Sequence, residues 1–142
     1  MSRQTRAQHD FILAEKLVSE VEGREDAVKK IYGGLCHAFP VLVRTCGLAQ
    51  AVAFSQAKAT PNRDGADKPR VIAHCLLLQH VAALLGPPEG GLAEAIRTAD
   101  AQTYMLHTRR VLGAWIYFKR FAVSILKVED ARPAEEGRDD AN

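Results

Sequence analysis

The sequence predicts an all-α protein, a compact bundle of about five to six helices that ends in a long C-terminal helix. Apolar residues recur at helical spacing over most of the chain, and no stretch of useful length alternates apolar and polar residues as a strand would. Segments rich in proline and glycine separate the periodic runs. At 142 residues, with 47% hydrophobic and 25% charged residues, the chain fits one globular domain, which we assign to residues 1–128.

The first two helices are predicted over residues 5–22 and from about residue 24 to residue 38. Gly23 separates them, and acids at the start of the second helix suit the helix dipole. Pro40 has no backbone N–H and crowds the preceding turn, so we expect it to break or kink the path before the helix restarts. The first helix carries an apolar stripe that consists of Phe11, Leu13, Ala14, Leu17, Val18 and Val21.

The middle of the chain is predicted to hold two further helices. Gly47 allows a change of direction before a third helix over residues 48–58. Residues 59–69, ATPNRDGADKP, are rich in turn-forming residues and are therefore read as a loop. A fourth helix over residues 70–85 is closed by a glycine and two prolines, and a second glycine-rich loop follows.

The last periodic run starts at Leu92 and is expected to bend near Ala99. Its most informative part is residues 104–127, about seven turns without proline. One face of this predicted helix is apolar and consists of Tyr104, Val111, Trp115, Phe118, Ala122 and Ile125.

The same helix is predicted to carry cations opposite its apolar face. Arg109, Arg120 and Lys127 fall within about 20° of one another, roughly 150° from the centre of that face. Between the two faces lies an apolar flank that one small domain would struggle to cover, made of Leu112, Ile116 and Val123. This combination suggests a helix that binds an anionic polymer and also packs against neighbouring proteins.

The net charge of +2 conceals an uneven distribution. Residues 129–142 contain six acids and two arginines, a balance of −4, so the remaining 128 residues carry +6. Residues 97–127 hold six lysines or arginines and one acid. The surplus near the last helix fits an anionic partner, and residues 129–142 are predicted to be a disordered acidic tail.

Several classes of function are disfavoured. No apolar run approaches the roughly 20 residues that span a bilayer, and the N-terminus lacks the apolar core of a signal peptide, so we expect a cytoplasmic protein without membrane contact. Cys36, Cys46 and His74 invite a metalloenzyme interpretation, but structural zinc prefers short-spaced ligand pairs that are missing here. The sequence also lacks a phosphate-binding loop. We predict no catalytic site, no metal, no cofactor and no small-molecule substrate.

The basic residues are the candidates for binding. Each one alone suits a solvated surface. As a set, long cations without sequence-reading geometry are what contact with backbone phosphates requires. The predicted RNA-binding residues are Arg44, Lys58 and Arg70 around the first loop, and Arg109, Arg110, Lys119 and Arg120 on the last helix.

Two blocks of the chain resemble the small subunit of Cmr-type (type III-B) CRISPR–Cas effector complexes. The first block has a proline, a Gly-Leu step, an apolar-Phe pair and a lysine, here Pro40, Gly47-Leu48, Ala53-Phe54 and Lys58. The second is similar to the family's closing helix and consists of Tyr104, Thr108, Leu112, Trp115 and Phe118-Lys119-Arg120-Phe121-Ala122. With the order of the helices, the likeness covers roughly residues 5–127.

The resemblance implies a non-catalytic subunit in antiviral defence. In that family the small subunits stack into a short filament beside the backbone subunits that hold the guide RNA. Their basic faces help to line the channel for target RNA, and cleavage belongs to other subunits. The expected partners are other subunits of the complex, copies of this chain, and crRNA or target RNA through phosphate contacts. Two alternatives stay open: a small subunit of the related type III-A complexes, and a general helical protein–protein adaptor.

Overall fold

Six helices form the described part of the chain, residues 3–61, 68–86 and 90–129 of a computed structural model. Within these ranges no strand occurs, so the prediction of an all-α fold is confirmed. No helix in the same ranges is long and apolar enough to cross a bilayer. The helices are α1 (Arg6–Val21), α2 (Asp26–Cys46), α3 (Leu48–Lys58), α4 (Lys68–Leu85), α5 (Leu92–Thr98) and α6 (Ala101–Ser124).

Parts of the two predicted loops and nearly all of the predicted tail lie outside the described residues. Residues 62–67 and 87–89 belong to the loops, and residues 130–142 belong to the tail. The fourth helix begins at Lys68, two residues earlier than predicted.

Well-placed caps begin α1 and α6. The Thr5 side chain accepts a hydrogen bond from the Gln8 amide at 3.1 Å, while the Gln8 side chain accepts one from the Thr5 amide. This reciprocal capping box satisfies two amides that have no partner within the helix. The Asp100 carboxylate accepts a hydrogen bond from the Thr103 amide at 2.7 Å. The predicted bend near Ala99 is therefore a full break, with α6 starting anew behind its own cap.

We expected Pro40 to break or kink the path, and the break does not occur: α2 continues through Pro40 to Cys46. Pro40 has no N–H to offer the carbonyl of Cys36, a defect that costs roughly 3 kcal/mol in an isolated helix interior. Pro40 is fully buried, and its neighbours Phe39 and Val43 belong to the core. Burial of this turn offsets the missing hydrogen bond. The predicted change of direction at Gly47 does occur, where φ is +90°.

The core is built around α6, which packs against α1, α2 and α4. Trp115 is completely buried, stacks on Phe118 at 4.2 Å between ring centroids, and lies 5.0 Å from Phe39 of α2. Of the predicted apolar face, Val111, Trp115, Phe118 and Ala122 are completely buried. Tyr104 and Ile125 are only half-buried. The Tyr104 hydroxyl instead accepts a hydrogen bond from the Ala49 amide at 2.9 Å and ties α6 to the start of α3.

Two details of the predicted stripes are wrong. Phe11 is 45% exposed rather than part of the core, and its ring meets Tyr117 and Phe121 edge-on. The last helix ends at Ser124, and Lys127 adopts a positive φ of 62° outside it. Lys127 therefore does not extend the cationic face of α6. Residues 125–129, which we call the hook, turn back onto α2.

Candidate nucleic-acid interface

Three of the seven predicted RNA-binding residues lie together in a groove of about 310 Å³ between α2 and α6. Arg44 comes from α2, and Lys119 and Arg120 come from α6. The rest of this groove, which we call the basic groove, is lined by His37, Pro40, Leu112, Ile116 and Val123. The cations thus share a concave surface with apolar side chains.

Helical spacing explains why these residues meet. His37, Pro40 and Arg44 follow one another at intervals of three and four residues, so they lie on one side of α2. The α6 residues of the groove recur at the same intervals, from Leu112 through Ile116 to Val123. Phe118 and Trp115 hold α6 in the core, which turns this second side of the helix towards solvent along α2.

The apolar flank predicted on α6 forms the apolar part of this groove. Ile116 is 58% exposed and Val123 is 41% exposed, whereas Leu112 is half-buried. Arg44 and Arg120 are exposed, and Lys119 is half-buried. Within residues 3–61, 68–86 and 90–129, none of the three cations forms an ion pair with a carboxylate. Their charge is therefore available to an anion from outside this part of the chain.

Lys58 and Arg70 form a second basic site, between α3 and α4. The Lys58 ammonium lies 5.6 Å from the centroid of the Phe54 ring, which is 44% exposed. Burial lowers the pKa of His74, and the nearby charges of Arg70 and Lys58 lower it further. A 3.2 Å hydrogen bond joins His74 Nδ1 to the buried Ser55 hydroxyl. At neutral pH the two cations therefore stand beside an uncharged imidazole.

Arg109 and Arg110 are adjacent in the sequence, but their side chains lie in different environments. Arg109 is exposed on α6, but the Arg110 side chain is only 18% exposed. Arg110 Nη2 lies 2.8 Å from Oδ1 of Asp10 in α1, whose side chain is 6% exposed. The contact is an ion pair that falls short of hydrogen-bond geometry, since this oxygen has no hydrogen-bond partner in the described residues. Arg110 thus joins α6 to α1 instead of facing solvent.

Asp10 is the residue that the sequence interpretation missed. It precedes Ala14 and Val18 at intervals of four, in line with the buried face of α1. An acid in that position needs a partner, because an unpaired buried charge is costly. The position of Asp10 on the apolar face was therefore visible in the sequence, although periodicity alone does not say which of several arginines pairs with Asp10.

The residues considered for a metalloenzyme do not form a cluster. Burial raises the pKa of the Cys36 thiol to about 12, so the thiol stays protonated near neutral pH. Cys46 is exposed at the end of α2, and His74 is buried beside Ser55. Within the described residues, no group of three His, Cys, Asp or Glu side chains is placed to hold a metal ion.

Comparisons with known proteins agree with one another. Residues 3–125 match the family model described as CRISPR-associated protein (Cas_Cmr5). The protein named CRISPR system Cmr subunit Cmr5 from Thermus thermophilus is 36% identical over 97 residues, which cover 68% of this chain and 75% of that protein. The crystal structure of a CRISPR-associated Cmr5 family protein from the same species matches with a TM-score of 0.69 and 34% identity, over 87% of this chain and 98% of that one.

The family match spans nearly all of the helical part of the chain. The crystal structure of the Cmr5 family protein from Thermus thermophilus has the same fold at 34% sequence identity. The resemblance to the small subunit of Cmr-type complexes is thereby confirmed. The chain belongs to the Cmr5 family of CRISPR-associated proteins.

Proposed function

We propose that this chain is a non-catalytic small subunit of a type III-B (Cmr) CRISPR ribonucleoprotein complex in antiviral defence. In this role it stacks with copies of itself beside the backbone subunits and offers its basic groove to the phosphates of crRNA or target RNA. The observation that carries the proposal is the convergence of Arg44, Lys119 and Arg120 in one groove, without ion-pair partners among the described residues.

The groove is suited to binding RNA without reading its sequence. Arginine and lysine side chains contact phosphate oxygens, which are the same at every nucleotide. Guide–target base pairing then supplies specificity. The apolar lining, including Ile116, can contact ribose or base faces but offers no reactive group. His37, the histidine of the groove, donates a hydrogen bond from Nε2 to the Val128 carbonyl at 3.1 Å.

Lys58 and Arg70 supply a second contact in this proposal. Phe54, exposed beside Lys58, adds a flat apolar surface of the kind on which unstacked bases rest. Arg109 is an exposed cation on α6 and is kept as a candidate contact. Arg110 is left out, because removing it from Asp10 would strand a buried carboxylate.

Exposed apolar side chains support the packing of neighbouring subunits. Phe11 and Ile12 are 45% and 48% exposed and line a shallow surface with Tyr117. Met105 and Leu106 are 56% and 57% exposed at the start of α6. A contiguous apolar surface such as that of Phe11, Ile12 and Tyr117 is typical of surfaces that are covered in an assembly.

The experiment is a salt titration of target-RNA binding by the assembled complex. We expect the variant Arg44→Ala/Lys119→Ala/Arg120→Ala to weaken binding and to flatten the slope of log K against log salt by up to about 0.7 for each phosphate that is no longer bound. The matched control is Arg6→Ala/Lys16→Ala/Arg24→Ala, which removes the same charge from exposed positions on and after α1. Equal effects of the two variants would show that net charge matters and the groove does not.

A further inference from the structure

The hook fixes the point at which the chain leaves the helical domain. The Val128 amide donates a hydrogen bond to the Ala122 carbonyl at 3.0 Å, and the Val128 carbonyl accepts one from His37 Nε2 at 3.1 Å. The Val128 side chain lies over Gly33, where a Cβ atom would come within 2.5 Å of the Val128 Cβ. The chain is thus held against α2 by side-chain packing and the His37 hydrogen bond, and it is tied to α6 by the hydrogen bond to Ala122.

That exit point is one end of the basic groove. His37, which binds the Val128 carbonyl, also lines the groove, as does Val123 at the end of α6. Arg44 lies seven residues beyond His37, about 10 Å along the helix at 1.5 Å per residue. Whatever follows Glu129 therefore begins at one end of a groove whose three cations have no ion-pair partner in the described residues.

The sequence that follows complements the groove in charge and in polarity. Residues 130–142, DARPAEEGRDDAN, contain five acids and two arginines. Small apolar residues at 131, 133 and 134 come directly before Glu135 and Glu136. The seven residue steps from Val128 to Glu135 can span up to about 23–25 Å, more than twice the rise of about 10 Å between His37 and Arg44 along α2.

We propose that the acidic segment 130–142 docks in the basic groove of its own chain and that RNA displaces it. Glu135 and Glu136 pair with Arg44, Lys119 and Arg120, while the alanines and the proline contact the apolar lining at Ile116 and Val123. The statement that RNA displaces the segment rests on the proposed function. The docking itself rests on the position of the hook and on the charges of the groove.

The docked segment acts as a weak, salt-sensitive competitor. Exposed ion pairs contribute little each, and salt screens them. A segment tethered by a short connection has an effective concentration of about 1 mM, so even millimolar intrinsic affinity keeps the groove partly occupied. We expect occupancy to lower RNA affinity by about two- to tenfold at low salt. Non-specific RNA would be excluded more effectively than RNA held by base pairing.

The direct test needs no RNA. Backbone amide NMR spectra of the full chain are compared with those of Glu135→Gln/Glu136→Gln/Asp139→Asn/Asp140→Asn at low salt. Docking predicts shift changes at Arg44, Ile116, Lys119 and Arg120 that fade as salt is raised. Unchanged groove signals would overturn the proposal, whatever the protein's affinity for RNA. Shift changes that disappear on dilution would also overturn it, because they would identify the segment of a second copy as the occupant.

The second arm measures affinity for a single-stranded RNA oligonucleotide. The variant with these four acids replaced should bind about two- to tenfold more tightly at low salt, with the difference closing at high salt. On the Arg44→Ala/Lys119→Ala/Arg120→Ala background the same tail changes should have no effect. A tail effect of equal size on that background would overturn docking in the groove. If neither the parent nor the tail variant binds RNA through the groove, the proposed function fails while the NMR result still decides the docking.

Discussion

Tyr32 and His80 share a buried hydrogen bond of 2.5 Å between the tyrosine hydroxyl and Nδ1 of the imidazole, which joins α2 to α4 inside the core. Burial raises the pKa of Tyr32 well above its usual value, so the hydroxyl keeps its proton and donates. Burial lowers the pKa of His80 to about 4, so the imidazole is neutral and Nδ1 accepts. The pair therefore depends on a histidine that stays uncharged.

This pair predicts that stability falls in mild acid. The pKa of His80 is about 4 in the folded protein and 6.5 in the unfolded chain, so the unfolded state binds the proton more tightly between these values. The contribution is fully present above pH 6.5 and is lost as the pH falls towards 4, to a total of about 3 kcal/mol. His80→Gln should remove this part of the pH dependence. Exposed His9→Gln is the control, and urea unfolding from pH 4 to pH 8 is the measurement; identical pH profiles for the two variants would refute the assignment.

Trp115 should be the costliest single truncation in the core. Trp115→Ala removes a fully buried indole that contacts Phe118 and Phe39, and we expect a loss of about 3–5 kcal/mol of unfolding free energy. Trp115→Phe keeps most of the ring volume and removes an indole N–H that has no partner in the described residues, so we expect a loss below about 1.5 kcal/mol. Denaturant unfolding followed by circular dichroism checks both. Equal losses of unfolding free energy in the two variants would mean that the cavity left by the truncation is not the cause of the destabilisation.

The Asp10–Arg110 pair predicts strong coupling between α1 and α6. Arg110→Ala should cost about 3 kcal/mol because it leaves the Asp10 carboxylate buried without a counter-charge. The double variant Asp10→Ala/Arg110→Ala should cost less than the sum of the two single changes. The pair of Lys29 and Asp26 at 3.2 Å, in which the Asp26 side chain is fully exposed, is the control and should show much weaker coupling. Additive losses at Asp10 and Arg110 would contradict the pairing.

Two adjacent glycines of α2 offer a matched test of the hook. A Cβ at Gly34 meets nothing within 4 Å, so Gly34→Ala should raise stability by up to about 1 kcal/mol through helix propensity. A Cβ at Gly33 would collide with Val128, so Gly33→Ala should displace the hook and cost about 1–3 kcal/mol. Hydrogen exchange at the Val128 amide, which is bonded to Ala122, should accelerate only in the Gly33 variant. Unchanged exchange would show that the hook does not rest on Gly33.

The helices and the buried face of α6 were predictable because periodicity and glycine or proline punctuation are local signals. Trp115 and Phe118 lie in the core as their spacing predicts, and Gly47 turns the chain. The predictions failed where a distant residue decides the outcome. Tertiary burial carries α2 through Pro40, and the contacts of Val128 with Gly33 and His37 belong to a turn back that helical spacing does not reveal.

The candidate site was predicted less completely, for a related reason. Residue type and sequence position identified the cations, but the sequence did not separate Arg110, which is paired with Asp10, from its neighbour Arg109. It also did not show that Arg44 of α2 would meet Lys119 and Arg120 of α6. Which residues of different helices meet depends on how the helices pack, and helical spacing describes only one helix at a time.

Phe118 is fully buried, while Lys119 and Arg120 come directly after it on the same helix. One rigid element thus serves as both the anchor of the interior and the frame that spaces the groove's charges. Loosening the aromatic packing would spread the positions of those charges as well as lower the melting temperature. Variants selected only for weak RNA capture will therefore include many that are simply less well folded, and thermal melts must accompany every binding assay on this helix.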